Sequence, residues 1–94
     1  MSWQPRKVAK RTLDDVAVTY HAVDSYLRRV PDARFDSARR DLIDLASHAT
    51  FVHTTPTDEE VWCAEASCGA LRLVVHRIAR RPPILLTVIP REPA

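Results

Sequence analysis

The sequence predicts an α+β domain: two N-terminal helices packed on one face of a mostly antiparallel sheet of four to five strands, in the order β-α-α-β-β-β-β. Three observations predict it. Residues 16–30, VAVTYHAVDSYLRRV, run a short alternating stretch directly into a helical one. Residues 35–49 repeat apolar side chains at helical spacing. The last third holds an alternating run and a wholly apolar run, separated by ARRPP at 79–83.

The elements follow in order. Residues 1–11, MSWQPRKVAKR, carry four cations and Pro5 with no periodicity, and read as a disordered basic arm. The domain then spans 12–91, with 92–94 as a tail. Val16, Val18 and Tyr20 alternate with Ala17 and Thr19, which predicts a strand. A helix follows from about His21 to Val30, with Val23, Tyr26, Leu27 and Val30 as its inner stripe. Pro31 ends it, because the residue before a proline is pushed out of the helical region. A second helix opens at Asp36 or Ser37 as its cap. Its inner stripe is Phe35, Ala38, Leu42, Leu45, Ala46 and Ala49, and Arg39, Arg40, Asp41 and Asp44 face water.

Phe51 to His53 is a short β run, and TTPT at 54–57 is a loop. The stretch Asp58–Gly69 carries two signals. Thr57 with Glu60 fits a capping box and Gly69 a helix stop. Against that, Val61, Cys63 and Glu65 alternate with Trp62, Ala64 and Ala66, and Gly69 suits a hairpin turn at 67–69. The strand is the reading taken. Leu71, Leu73 and Val75 then alternate with Arg72, Val74 and His76. ILLTVI at 84–89 is apolar on both faces apart from Thr87, which predicts a central strand covered on both sides, with Leu86 and Val88 in the core.

Composition excludes several functions. No apolar run approaches the ~18 residues that span a bilayer, and the N-terminal segment lacks the apolar stretch of a secretory signal. Two cysteines without an export signal predict a reducing, cytoplasmic setting. Cys63 and Cys68 form a lone C-x4-C with no second pair, so neither a zinc site nor any other metal is expected. Gly69 is the only glycine, so no glycine-rich loop can cradle a nucleotide, and no cofactor is expected. Asp58, Glu59 and Glu60 read as a solvated acidic cluster or a helix start. The net charge is +2, but eleven of the twelve acids lie between Asp14 and Glu65, while cations load both ends. Arg72, Arg77, Arg80, Arg81 and Arg91 are candidate contacts to an anionic partner such as RNA; solvated ends on a neutral domain are the alternative.

A resemblance carries the functional expectation. HAVDSYLRRV at 21–30 resembles the opening of helix one in small domains of the RelE/ParE-like toxins and the wider barnase-like ribonuclease superfamily. LRLVVHRIARRPPILLTVIPR at 71–91 is similar to their closing hairpin, and the element order is similar too. The resemblance implies a toxin-locus or phage-type domain, a cognate antitoxin, and metal-free cleavage of RNA. It makes His21 the candidate acid or base, suited by an ordinary histidine pKa of ~6.5. Arg28 or Arg29 would grip the phosphate as a bidentate fork. His76 would be a second proton carrier, and Thr87 a hydrogen-bonding group on the central strand. His21 and Arg28, seven apart, share nearly one helix face. Lysines, frequent in RelE-type sites, are confined here to the N-terminal arm.

Each candidate also has a structural reading. His21 caps its helix, Arg28 and Arg29 pair with Asp24, Asp32 or Asp36, Thr87 satisfies a backbone group, and His76 is a sheet-face residue. The rival function is a catalytically inactive protein on the same fold that binds and inhibits a host protein. The sequence leaves the oligomeric state open, a homodimer included.

Overall fold

The computed structural model describes residues 12–66 and 69–90. The expected basic arm at 1–11, the tail at 92–94, Arg91 and Cys68 lie outside the described residues. The elements are β1 (Ala17–Val18), α1 (Tyr20–Arg29), α2 (Phe35–Ser47), β2 (Thr50–Thr54), β3 (Glu59–Ala66), β4 (Gly69–His76) and β5 (Ile84–Pro90). They form one five-stranded sheet in the order β1-β5-β4-β3-β2. β2 to β5 pair antiparallel, and β1 joins β5 in parallel. The α+β order read from the sequence is the order observed, and the sheet is mixed because of that one parallel pair. No helix among the described residues is long and apolar enough to cross a membrane.

The first strand is shorter than its alternation suggests, and Thr19 is the reason. Its Oγ1 accepts the Ala22 amide at 3.1 Å and so caps α1. The same hydroxyl donates to the Leu85 carbonyl at 2.9 Å. One side chain thus ends β1, starts α1 and ties both to β5. Tyr20, read as strand, becomes the first helical residue and is exposed. The helix cap expected at His21 is therefore Thr19. α1 stops where the Val30 amide bonds the Tyr26 carbonyl ahead of Pro31.

α2 begins one residue before the expected cap. Arg34 occupies the capping position by its backbone alone, and Ser37 bonds Asp41 within the helix instead. Asp36 sits in the first turn, where its charge complements the helix N-terminus. Ala38, Leu42 and Ala46 are buried as expected, but Phe35 is 73% exposed. Its spacing gives it the right face; the space beside it is an open groove between the helices rather than core.

Both helices bury their stripes in one cluster with Trp62, Ala64, Leu71, Leu73, Val75, Leu85 and Val88. Trp62 is fully buried at the centre, and Phe51 meets it edge-on with centroids 5.6 Å apart. Leu13, ahead of β1, is fully buried as well.

Within the ambiguous stretch, Glu59–Ala66 is strand, not helix. Trp62 pairs with Leu73 and Cys63 with Arg72, and Ala66 faces Gly69 across the hairpin. Gly69 holds a φ of +125°, which L side chains rarely adopt. The acidic cluster read at 58–60 is not all solvated. Glu60 is buried on the core side of β3, where its carboxylate accepts from Trp62 Nε1 and from Arg77 Nε, each at 3.0 Å.

The closing strand differs from its sequence reading in two ways. The helices cover one face of the sheet, so β5 is not covered on both sides. It also carries a bulge: Val74 pairs with Thr87 and Val75 with Leu85, so Leu86 has no partner in β4. That extra residue shifts the alternation. Leu85 and Val88 are fully buried, while Leu86, expected in the core, is half-buried.

Candidate functional site

The residues of α1 make a seam with β5. β1 pairs only with Ile84 and Leu85 of β5, and beyond that point α1 lies against the strand. Ser25 is buried there, and its hydroxyl lies 3.0 Å from that of Thr87. Ser25 Oγ donates to the His21 carbonyl at 2.8 Å. A serine has one proton to give and a carbonyl can only accept, so Thr87 is the donor to Ser25. His21, one turn above Ser25, is exposed on α1. Arg28, one turn below, is exposed too, and its Nε lies 3.1 Å from Asp24 Oδ2. An exposed pair of this kind contributes ~0–1 kcal/mol and leaves the guanidinium available to a stronger partner. Arg29 is exposed at the helix end.

Of the expected catalytic group, then, Thr87 is in the α1–β5 seam, and His21 and Arg28 are exposed on α1 one turn to either side of Ser25. His76 lies elsewhere. Its neighbour Val75 is fully buried on the helix-covered face, so alternation turns His76 to the opposite face, between Glu59 and Ile84.

The candidate anion-binding arginines are also dispersed. Arg72 is half-buried on the face away from the helices, between Cys63 and Ile89. Arg77 is held by Glu60, and its Nη2 reaches the Thr12 carbonyl at 3.4 Å. Arg80 and Arg81 are exposed in the loop between β4 and β5, where Arg80 holds a φ of +65°.

Sequence reasoning missed one surface feature. Tyr20 is 84% exposed and Phe35 73%. With Val23, Asp36 and Arg39 they line an open groove of about 400 Å³ between α1 and α2. Arg39 is fixed in it: its Nη1 donates to the Val18 carbonyl at 2.7 Å, and its guanidinium carbon lies 5.9 Å from the Tyr20 ring centroid. The signal was present but disguised. Tyr20 fitted the strand alternation and Phe35 fitted the helix stripe, so both passed for structure.

Among the described residues no group of three His, Cys, Asp or Glu side chains is placed to hold a metal ion. In comparisons with known proteins, no family model, no curated protein and no solved structure matches this chain.

Proposed function

We propose that this chain is a toxin-type domain of the RelE/ParE-like kind that acts by binding and inhibiting a host protein rather than by cutting RNA. The observation that carries this reading is the groove of Tyr20, Phe35 and Arg39. Tyrosine and arginine are enriched among residues that dominate binding energy at protein interfaces, and large apolar rings serve as anchors there. Two exposed rings stand beside a guanidinium already held by the Val18 carbonyl, so less of that side chain's freedom remains to be lost on binding.

The ribonuclease alternative is less well supported. Its scheme needs a base and an acid on either side of one phosphate, and the site residues that the fold joins, Ser25 and Thr87, are already bonded to each other, while His76 stands between Glu59 and Ile84 in the ladder. The element order, β-α-α followed by four strands, agrees with the resemblance and supports the toxin-type frame. On this reading the protein works in the cytoplasm, and a cognate antitoxin would be a second partner.

Expression in bacteria separates the readings. Growth arrest that survives His21→Ala and Arg28→Ala but is lost in Tyr20→Ala and Phe35→Ala supports protein binding. Cleavage of RNA by the purified protein, abolished in His21→Ala, overturns it in favour of the nuclease.

A further inference from the structure

The sheet has a second face. Trp62, Ala64, Leu71, Leu73 and Val75 turn into the core, so alternation sends Val61, Cys63, Arg72, Val74 and His76 the other way. Register adds Ile84 and Ile89 from β5, and Thr87, the partner of Val74 beside the bulge, whose hydroxyl is taken by Ser25 at the sheet edge. Val61 is buried, yet it stands outside the core cluster that the helices complete. An antiparallel sheet with one wet face ordinarily alternates apolar inward and polar outward. Val61, Val74, Ile84 and Ile89 break that alternation, and among the described residues no helix packs over them.

We propose that this face is covered by a second copy of the chain, the two sheets stacking about a two-fold axis that lies between the sheets, above the Val61–Val74 pair. The ladder supplies the argument. Arg72 pairs with Cys63, Val74 with Val61, and His76 with Glu59. Arg72 and Glu59 therefore stand at opposite corners of one patch whose midpoint is the Val61–Val74 pair. A two-fold contact is self-complementary, residue i meeting j while j meets i. A two-fold axis lying in the plane between the sheets, above that midpoint and perpendicular to the Arg72–Glu59 diagonal, brings each copy's Arg72 over the other's Glu59, with Val74 packed between. The face has no single-sign charge that would select a phosphate backbone. Four strands about 4.8 Å apart and roughly seven residues long present about 450 Å² in projection. A standard interface uses ~800 Å² per partner, so the dimer is a weak one that forms with rising concentration.

This assignment is independent of the protein-binding groove, which lies on the helical side. Sedimentation velocity of the full chain from about 5 to 500 µM, a range that brackets a micromolar Kd, tests it. The expected result is a monomer–dimer equilibrium. Arg72→Glu and Glu59→Arg each place like charges across the axis and weaken the dimer about tenfold or more. The double variant restores it, and Val74→Arg abolishes it. A monomer throughout overturns the proposal. So does a dimer that the two charge reversals leave unchanged, or one that the double variant fails to restore, and this arm stands even if Val74→Arg does not fold.

Discussion

The hydroxyls of Ser25 and Thr87 lie 3.0 Å apart, although 62 positions separate them in the chain. They join α1 to β5 beyond the point where β1 ends, and the Ser25 proton is directed to the His21 carbonyl. Thr87 is thereby occupied by the fold. Ser25→Ala and Thr87→Val are each expected to cost ~1 kcal/mol, the usual net worth of such a bond. A double-mutant cycle read by urea unfolding should show coupling between them, and fully additive losses would show that the pair contributes nothing.

The bulge in β5 separates two adjacent leucines. Leu85→Ala removes a fully buried side chain and is expected to cost ~2–5 kcal/mol. Leu86→Ala, at the unpaired position, is expected to cost less than ~1.5 kcal/mol. Equal losses in denaturant midpoints would contradict the observed register.

Glu60 and Arg77 form the polar anchor of the β3–β4 ladder. Arg77→Ala leaves a buried carboxylate with one fewer donor, and a loss of ~1–3 kcal/mol is expected. Glu60→Gln keeps an acceptor for Trp62 Nε1 and is expected to cost less than Glu60→Leu, which leaves that indole N–H unpaired in the core. Thermal unfolding of the three variants checks the ranking.

Tyr20 and Phe35 are expected to behave in the opposite manner. Both are exposed, so truncation to alanine should leave stability within about 0.5 kcal/mol of the parent. Any growth phenotype lost in these variants is then a loss of binding rather than of folding. A large drop in melting temperature would show instead that the rings support the helix pair.

Much of the architecture was legible from residue order. Pro31 closes α1, the 3.6 periodicity of Ala38, Leu42 and Ala46 makes α2, and the alternation of Leu71, Leu73 and Val75 makes β4, because each is set by local sterics and by which face must leave water. Tertiary structure decided what local pattern cannot encode. Thr19 caps α1 through the local Ala22 amide, but its tie to Leu85, 66 positions away, is a pairing that residue order does not show. Phe35 has the spacing of a core residue and is exposed because the groove beside it, among the described residues, is open. The bulge at Leu86 depends on the register against β4, so alternation alone assigned that leucine to the core. The sites divided in the same way: helical spacing placed His21 and Arg28 on one face, but which side of the sheet held His76, and what stood beside Thr87, depended on pairings between distant strands and helices.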